Sequence, residues 1–311
     1  MRVVALGGGH GLAASLSALR RVVDDLCAVV TVADNGGSSG RLRREFGVLP
    51  PGDLRQALAA LCDDDDWGST WARVLQHRFD SHGEMDQHAV GNLLIVALWE
   101  LLGDHVHGLE WVARLLGAQG RVLPMALTPL DITAQVRGLD GADPTTLTGV
   151  RGQVEVASTD GQVVSVALDP AEPPACPEAL AAVGRADWVV LGPGSWFTSV
   201  IPHLLVPELR QALVTTPARR AVVLNLEPQT GETDGFSPEN HLDVLVSHAH
   251  DLTLDVVLAD VRSVQDETRL RECARGYGAE LVVADVAAAD GSPRHDHVKL
   301  ADAYARILSG A

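Results

Sequence analysis

The sequence is poor in aromatic residues, lysine and paired cysteines. Aromatic residues make up 4% of the 311 positions, so the interior must be built mainly from Ala, Val and Leu. A single lysine, Lys299, stands among 24 basic residues, which we attribute to a compositional preference for arginine. The 4 cysteines lie far apart without a Cys-x-x-Cys pair, which argues against a disulfide framework or zinc site and for reduced thiols.

Long hydrophobic runs are also missing. No stretch approaches the ~18 consecutive apolar residues that a membrane-spanning helix needs. The N-terminal segment MRVVALGGG is too short to contain the apolar core of a secretory signal peptide. We therefore expect a cytoplasmic protein that does not insert into a membrane.

Positive charge is scarce as well. The formal net charge is −17, and the acidic residues are spread along the whole sequence. Such a protein repels nucleic-acid backbones and anionic membranes, so no nucleic-acid partner is expected. A site for phosphate must instead depend on backbone N–H groups and a few well-placed arginines.

Short buried strands alternate with helices at both ends of the sequence. RVVAL and CAVVTVA are continuous apolar runs typical of parallel strands buried on both faces, and LAASLSALRRVV between them has helical spacing. This order defines a βαβ unit. The alternation of buried strands with helices returns near the C-terminus, where the strands are WVVL, AVVLNL, LDVVLAD and ELVVAD. We predict an α/β fold, Rossmann-like and doubly wound, whose mainly parallel sheet takes strands from both ends of the chain.

The middle of the sequence does not show this alternation of strands and helices. A helical block is predicted there, with helices over residues 52–62, 67–79, 88–102 and 107–116. The segments ITAQVRGL, GVRGQVEVAS and GQVVSVAL predict a small antiparallel, β-rich excursion at about 132–168. The proline-rich stretch DPAEPPACP reads as a linker. We assign residues 1–311 to a single domain that includes this excursion.

The first glycine-rich loop, GGGHG, connects strand one to helix one. Glycines permit close backbone approach, and a helix N-terminus offers free N–H groups to an anion. The loop is not the dinucleotide fingerprint, because Leu12 stands where the third glycine is required, and no Lys-Ser/Thr pair makes it a Walker loop. An anion cradle and a tight turn are the alternatives. The candidate ligand-binding residues are Gly8, Gly9, His10 and Gly11.

The second loop, ADNGGSSGRLR, follows strand two. An acidic residue at the end of this strand commonly accepts hydrogen bonds from a ribose or holds a metal. The glycines and serines offer N–H and O–H donors for an anion, and Arg41 or Arg43 supplies a charged clamp. A mobile linker is the alternative, although linkers seldom follow a buried strand directly. The candidates are Asp34, Asn35, Gly36, Gly37, Ser38, Ser39 and Arg41.

Two predicted helices add polar side chains. PPGDLRQALAAL places Asp53 and Arg55 in its first turn, where Asp53 either serves the site or complements the helix dipole. HAVGNLLIVAL places His88 and Asn92 on one helix face, where each either contacts a ligand or makes a structural hydrogen bond. Both interpretations stay open for all four residues.

A second phosphate-type loop, GPGSWFTSVIPHLLVP, leads from a buried strand into a helix. Two such loops in one chain are much less expected by chance than one. Because ligands bind at the carboxyl ends of parallel strands, we expect these loops to meet in one cleft. The candidates are Gly192, Pro193, Gly194, Ser195, Thr198 and Ser199.

Two polar segments complete the set of candidate loops. NLEPQTGETDGF, residues 225–236, is predicted to be a lid. RHDHVKLA carries Arg294, a candidate for closing the site, together with His295 and His297. The two histidines invite a metal interpretation, but the sequence positions no third ligand, so no metal is predicted there.

In order along the chain, GGGHGLAASLSALR, TVADNGGSSGRLRREFGVLPPGDLRQALAAL, HAVGNLLIVAL, GPGSWFTSVIPHLLVP, QTGETDGFSPENH and RHDHVKLA resemble the motifs of the YvcK/CofD-like proteins. The resemblance covers essentially the whole chain. The second and fourth of these segments are highly specific. The YvcK branch, the so-called gluconeogenesis factors, is the more similar one.

The resemblance implies a Rossmann-like fold that binds UDP-sugars such as UDP-N-acetylglucosamine. It also implies a regulatory role in gluconeogenic growth, cell shape and peptidoglycan precursor supply, with a protein partner in cell-wall regulation and no required cofactor. The three glycine-rich loops would hold the diphosphate, and Arg41 would neutralise it. Asp34 or Asn92 would meet ribose or sugar hydroxyls, and Arg294 would close the site. We also expect a homo-oligomer.

The sister branch, CofD, implies an alternative function. CofD is the 2-phospho-L-lactate transferase of coenzyme F420 synthesis, which uses a nucleotide donor, a deazaflavin acceptor and Mg2+. Here ADNGGSS replaces the Asn-Thr-Gly-Asp-Asp run of that branch, which weakens the case for metal-assisted phosphoryl chemistry. Asp34 and Asp53 are the magnesium ligands under this alternative.

Other features bear on the choice of function. His10 stands where the YvcK pattern usually carries threonine, so a role for that hydroxyl, including its phosphorylation, is not transferred to this chain. An NAD(P)-dependent dehydrogenase is a third alternative, which rests only on the initial βαβ unit. It lacks both the glycine fingerprint and an assignable catalytic pair.

Overall fold

A computed structural model describes residues 1–141 and 143–310 of the chain. Ala142, which falls within the predicted excursion, lies outside the described residues. So does Ala311, the last residue of the predicted single domain. The assignment of the whole chain to one domain stays a prediction.

The strands alternate with helices as the apolar runs predict. The strands in the described part of the chain are β1 (Arg2–Gly7), β2 (Asp25–Val30), β3 (Arg121–Pro124), β4 (Asp131–Arg137), β5 (Leu147–Arg151), β6 (Gln162–Asp169), β7 (Trp188–Leu191), β8 (Arg219–Val223), β9 (Val256–Asp260) and β10 (Glu280–Ala284). The helices are α1 (Gly9–Leu19), α2 (Gly37–Phe46), α3 (Gly52–Ala60), α4 (Asp66–Gln76), α5 (Val90–Leu102), α6 (His105–Leu116), α7 (Gln153–Ala157), α8 (Pro177–Arg185), α9 (Pro202–Leu205), α10 (Pro207–Thr215), α11 (Pro238–His248), α12 (Glu267–Gly276) and α13 (His297–Ser309), and Trp196–Val200 forms a π-helical turn. None of these helices in the described residues is both long and apolar enough to cross a membrane.

The main sheet has seven parallel strands in the order β10-β9-β8-β7-β1-β2-β3. Leu6 of β1 pairs with Val29 of β2 on one side and with Leu191 of β7 on the other. The chain therefore builds the sheet outward in both directions from the β1–β7 pair, and this pair is the topological switch point. The predicted doubly wound α/β fold is confirmed.

The core is made of small aliphatic side chains, as the scarcity of aromatics predicts. The interiors of β1, β2 and β7 consist almost entirely of buried Val, Ala and Leu. Trp196 and Phe197 are exceptions, because they are fully buried just after β7. These two rings fix the start of the chain segment that follows the second phosphate-type loop, Gly192–Ser195.

The antiparallel excursion is a separate three-stranded sheet, ordered β5-β4-β6. Its strands confirm the excursion predicted at about 132–168. Within GVRGQVEVAS only the first part is extended, because Gln153–Ala157 forms helix α7. Gly152 starts this helix with a φ of 107°, a backbone conformation that favours glycine, so the chain turns there instead of continuing as a strand.

The predicted helical block lies between β2 and β3, with small differences at the helix ends. Helix α5 begins at Val90 instead of His88, because Ala89 has extended backbone angles and pairs with Arg78 in an antiparallel bridge. Helix α6 begins at His105, two residues before the predicted start, since Asp104 caps it by accepting from the His107 amide.

Candidate functional site

The loops after β1 and β7 meet backbone to backbone at the switch point. A Cβ atom added to Gly11 would lie 2.3 Å from the carbonyl oxygen of Pro193 and 2.5 Å from Cα of Gly194. Gly194 itself has a φ of 133°, which favours glycine. The glycines of both motifs are therefore required for the two loops to touch.

Thr31 fastens these loops to the end of β2. Its amide donates to the carbonyl of Gly7 at 3.0 Å, and its hydroxyl donates to the carbonyl of Ser199 at 2.9 Å. The side chain is 0% exposed. Sequence reasoning missed this residue, although a hydroxyl within the apolar run CAVVTVA was the available signal.

Removing the Thr31 hydroxyl should loosen both loops. We expect Thr31→Val, which keeps the shape of the side chain, to lower the free energy of unfolding by about 1–2 kcal/mol, because it removes a buried hydrogen bond to the Ser199 carbonyl. Urea unfolding measures this change. Thr215→Val is the matched control, since the Thr215 hydroxyl bonds the Gln211 carbonyl on an exposed helix, and it should change stability by less than about 0.5 kcal/mol. Equal effects of the two substitutions would contradict the role given to Thr31.

A cleft of about 530 Å³ opens beside these loops, and we call it the switch-point cleft. Its walls come from the loops after β1, β7, β8 and β10. The predicted site residues among its walls are His10, Gly11, Pro193, Gly194 and Arg294. The further lining residues include Ala14, Asn225, Gln229, Thr230 and His295. The cleft thus collects loops from both halves of the sheet.

The polar loop after β8 is bonded to the loop after β7. The Asn225 side chain accepts from the Gly194 amide and donates to the Gly194 carbonyl, each at 2.9 Å. Gln229 donates to the hydroxyl of Ser195 at 3.2 Å. The segment predicted as a lid therefore forms a wall of the cleft, and its movement stays a prediction.

Arg294 brings positive charge to the rim of the cleft. Its guanidinium pairs with Asp290 at 2.7 Å and donates to Ser292 at 3.0 Å. The side chain is 74% exposed, so solvent screens the ion pair and leaves it weak. A phosphate group in the cleft can compete for this arginine.

Seven of the other predicted residues gather in a neighbouring group, which we call the carboxylate cluster: Asp34, Ser38, Ser39, Asp53, Arg55, His88 and Asn92. The cluster adjoins the loop after β1, because a Cβ atom on Gly8 would lie 2.6 Å from the Asp53 carboxylate. It also includes the start of α3, where a Cβ atom on Gly52 would lie 2.8 Å from the Asp34 carboxylate. The predicted residues therefore form two adjoining groups instead of one cleft.

A buried chain of hydrogen bonds crosses the carboxylate cluster. Arg55 donates to the Asn92 side-chain oxygen at 2.8 Å, and the Asn92 amide donates to Ser38 at 3.0 Å. The Ser38 hydroxyl lies 3.1 Å from Nδ1 of His88. All four side chains are buried, and burial lowers the pKa of Arg55 to about 10. Asn92, Ser38 and His88 therefore join α5 to the start of α2.

The two carboxylates of this cluster repel each other. Burial, followed by the negative charge of Asp34, raises the pKa of Asp53 to about 7, and a hydrogen bond from the Gly9 amide opposes that shift. Asp53 is only 8% exposed. Within the described residues, neither carboxylate has an arginine or lysine nitrogen at salt-bridge distance. This arrangement favours a cation between them.

Two predicted ligand-binding residues use their polar side chains in hydrogen bonds within the protein. Arg41 donates to the backbone carbonyls of Glu84 at 3.1 Å and Asp86 at 2.6 Å, and it does not line the switch-point cleft. Asn35 donates to Glu155 at 2.7 Å and accepts from an amide of α7. As placed, Arg41 holds the chain before α5, and Asn35 joins the second glycine-rich loop to the excursion.

Glu232 was missed by sequence reasoning, and it covers the amides that follow the second phosphate-type loop. Its carboxylate is 4% exposed and lies against the backbone amides of Trp196 and Phe197 and against Thr198. Burial raises the pKa of Glu232, and these donors oppose the shift. Glu232 therefore lies buried beside the π-helical turn, and within the described residues neither of its carboxylate oxygens makes a hydrogen bond of normal geometry.

Helix termini give the site its electrostatic character. Most described helices of eight or more residues begin with an Asp or Ser cap or carry an acidic residue in the first turn. The exceptions within the described residues are α1, α2 and α5, which have neither. All three begin at the cleft or the carboxylate cluster. Their positive ends favour an anion, although at the start of α1 the Asp53 carboxylate already accepts from the Gly9 amide, so the chain itself compensates part of that charge.

Fold and site together define a doubly wound α/β protein with a glycine-lined cleft at the switch point of its sheet. Residues 3–299 match the family model described as 2-phospho-L-lactate transferase CofD. The chain therefore belongs to the CofD family, and the resemblance to YvcK/CofD-like proteins is confirmed.

Relatives with curated names are gluconeogenesis factors. A putative gluconeogenesis factor of Mycobacterium tuberculosis is 54% identical over 302 residues, covering 96% of this chain and 88% of the relative. The gluconeogenesis factor of Listeria monocytogenes is 34% identical over 318 residues, covering 99% and 95%. The chain is thus similar to the YvcK branch over nearly its whole length.

A solved structure supports the fold. A crystal structure of a UPF0052 family protein from Bacillus halodurans is 30% identical and superposes with a TM-score of 0.85 over 97% of both chains. The α/β architecture therefore extends across this family.

Proposed function

We propose that this protein binds a UDP-sugar of the UDP-N-acetylglucosamine type and acts as a regulator of gluconeogenic growth, cell shape and peptidoglycan precursor supply. The observation that carries the proposal is the close contact of Gly11 with the Gly194 loop beside an open cleft. Because the glycines of these loops carry no side chains, a diphosphate has room against the first turn of α1. The relatives named gluconeogenesis factors support the part that concerns gluconeogenic growth.

The cleft provides a counterpart for each part of such a ligand. The uncapped first turn of α1 and Arg294 supply positive charge for the diphosphate. Asn225, Gln229 and Thr230 supply amide and hydroxyl groups for sugar hydroxyls. Arg41 was predicted to neutralise the diphosphate, but its contacts with the Glu84 and Asp86 carbonyls favour Arg294 in that role.

Isothermal titration calorimetry with UDP-N-acetylglucosamine tests this function. We expect saturable binding that weakens about tenfold or more in Arg294→Ala, because a charge-assisted contact contributes about 1.5–3 kcal/mol. Arg271→Ala is the matched control, since Arg271 also forms an i,i+4 ion pair but lies on α12. No binding heat at millimolar ligand, or equal affinity in all three proteins, would contradict the proposal.

The transferase alternative rests on Asp34 and Asp53. The buried Asp53 and the half-buried Asp34, neither with an arginine or lysine nitrogen at salt-bridge distance in the described residues, fit Mg2+, which takes one or two carboxylates together with substrate phosphates. Bound there, Mg2+ would neutralise charge on a transferring phosphoryl group. The described residues contain no group of three His, Cys, Asp or Glu side chains placed for a metal, so the substrate and water would complete the coordination. Product formation from a deazaflavin acceptor, a phospholactyl-nucleotide donor and Mg2+ would favour this alternative.

The proposal also covers the cellular location, the assembly and the partner of the protein. We propose that it works in the cytoplasm, as a homo-oligomer, and passes the state of its ligand to a protein partner in cell-wall regulation. Pull-down from a cell extract with and without UDP-N-acetylglucosamine would test the partner, and light scattering would test the oligomer.

A further inference from the structure

The loop after β10 carries Arg294 on a short hairpin, residues 286–296, which we call the arginine hairpin. Its two arms meet where Ala287 and His295 form an antiparallel bridge. The Ala288 amide also donates to the Arg294 carbonyl at 2.8 Å. The backbone of Arg294 is therefore held at the end of a paired segment, beside the switch-point cleft that its side chain lines.

The base of the arginine hairpin is fixed by two charged side chains. Asp260, at the end of β9, is 1% exposed and accepts from the Val286 and Ala287 amides at 2.8 and 2.9 Å. Lys299, the single lysine of the chain, donates to the Asp285 carboxylate at 2.8 Å and to the Ala287 carbonyl at 3.1 Å. These contacts determine where the hairpin leaves the sheet, and they do not involve the Arg294 side chain.

The side chain of Arg294 is bonded within its own hairpin. Its Nη2 donates to the Asp290 carboxylate at 2.7 Å, and its Nε donates to the Ser292 hydroxyl at 3.0 Å. The hydroxyl and the amide of Ser292 both donate to Asp290 in turn. These Ser292 hydrogen bonds, followed by the one from Arg294, lower the pKa of Asp290 to about 2, so its carboxylate is ionised at physiological pH. The hairpin thus supplies its own anion to its own arginine.

The pair of Arg294 and Asp290 is open to solvent. The arginine side chain is 74% exposed and that of the aspartate is 52% exposed. The pair can therefore separate without moving a packed side chain, and an exposed ion pair is weak. A phosphate group offers a guanidinium more oxygens and more charge than one carboxylate does. A phosphate in the switch-point cleft and the Asp290 carboxylate therefore compete for the same guanidinium.

We infer that Asp290 is an internal competitor of the ligand for Arg294, and that it sets the affinity of the switch-point cleft for phosphate groups. Without ligand, Arg294 pairs with Asp290. When a diphosphate binds, the guanidinium passes to it, and Asp290 keeps its hydrogen bonds from Ser292. The inference rests on the proposed function, which places the diphosphate in this cleft, and deepens it.

This exchange also bears on which anions bind. Every anion that uses Arg294 must first displace the carboxylate of Asp290. A simple anion has few other contacts to offset that loss, whereas a sugar nucleotide also contacts the amide and hydroxyl groups of the cleft. Asp290 therefore favours the larger ligand over small anions of the cell.

Asp290→Asn tests the competition. The substitution keeps the size of the side chain and an oxygen that accepts from Ser292, but it removes the charge that holds Arg294. We expect calorimetric titration to show about two- to fivefold tighter binding of UDP-N-acetylglucosamine. Inorganic pyrophosphate should gain by a similar factor, because the exchange involves only its phosphate groups. Damage to the hairpin would instead weaken binding of both ligands.

A double substitution separates competition from simple charge repulsion. In the Arg294→Ala background, Asp290→Asn should leave the affinity unchanged, because the arginine for which the carboxylate competes is gone. A repulsion between Asp290 and the bound anion would persist in that background. Glu267→Gln is the matched control, since it breaks the i,i+4 ion pair with Arg271 on α12, and it should leave the affinity unchanged.

The outcomes distinguish this inference from the function on which it rests. If UDP-N-acetylglucosamine binds the unaltered protein and Asp290→Asn equally, or binds the variant more weakly, only the inference is overturned. A gain that survives in the Arg294→Ala background would also overturn it. If pyrophosphate binds with the expected gain but UDP-N-acetylglucosamine does not bind, the sugar nucleotide of the proposed function is wrong and the exchange stands. If neither ligand binds, both fail.

Discussion

Gly11→Ala should lower the free energy of unfolding by about 3 kcal/mol and weaken nucleotide binding at least about tenfold. The added methyl group would lie 2.3 Å from the Pro193 carbonyl oxygen and 2.5 Å from the Gly194 Cα atom. Both neighbours are backbone atoms that cannot rotate away, so the loops after β1 and β7 must separate, at the cost expected for overpacking. Because both loops line the switch-point cleft, their separation also disturbs the diphosphate position.

Urea unfolding and calorimetric titration measure the two effects of Gly11→Ala. Gly184→Ala is the control, because a Cβ atom on that helical glycine would meet nothing within 4 Å. It should leave binding unchanged and stabilise the protein by up to about 1 kcal/mol, since alanine favours helix over glycine. A Gly11→Ala protein with unaltered stability would contradict the close contact of the two loops.

Asp53→Asn should stabilise the protein in alkaline solution. The pKa of Asp53 is raised to about 7 in the folded state, whereas an unfolded Asp titrates near 4. The folded state therefore binds the proton more tightly, and the stability that this group contributes is complete below about pH 4 and is lost as the pH rises through 7. At pH 8.5 the ionised carboxylate lies buried beside Asp34, and the substitution removes a penalty on the order of 4 kcal/mol.

Urea unfolding at pH 4.5 and pH 8.5 measures this difference. The gain from Asp53→Asn should be large at pH 8.5 and small at pH 4.5, where the protonated acid and the amide are similar. Asp24→Asn is the control, because Asp24 is exposed, and it should show no such pH dependence. A gain of equal size at both values of pH would show that the charge of Asp53 is not the cause. If Mg2+ binds here, it should stabilise the unaltered protein at pH 8.5 but not the Asn variant.

The positions of the loops after β1 and β7 follow from local patterns in the sequence. Buried apolar runs such as RVVAL and WVVL indicate parallel strands, and glycine directly after each run marks a loop at the carboxyl end. The strand order places the Gly7–Gly11 and Gly192–Ser195 loops side by side. The excursion was likewise visible, since its strands alternate in hydrophobicity.

The hydrogen-bond partners of the polar side chains could not be predicted from local sequence patterns. Arg41 contacts the Glu84 and Asp86 carbonyls, which lie more than forty residues away, and nothing near Arg41 in the sequence marks them. Thr31 bonds Ser199 across 168 positions. Glu232 is buried beside the Trp196–Val200 turn, which lies more than thirty residues earlier in the sequence. Such contacts depend on how distant segments pack, whereas a local pattern only fixes where each segment begins.

The position of the diphosphate tests the account most directly. A crystal structure of the protein with UDP-N-acetylglucosamine should place the diphosphate oxygens within about 3.2 Å of backbone amides in the first turn of α1 and near the Arg294 guanidinium. The loops around Gly11 and Gly194 should stay in contact. A ligand bound with its diphosphate outside the switch-point cleft, or an empty cleft at saturating ligand, would contradict the account.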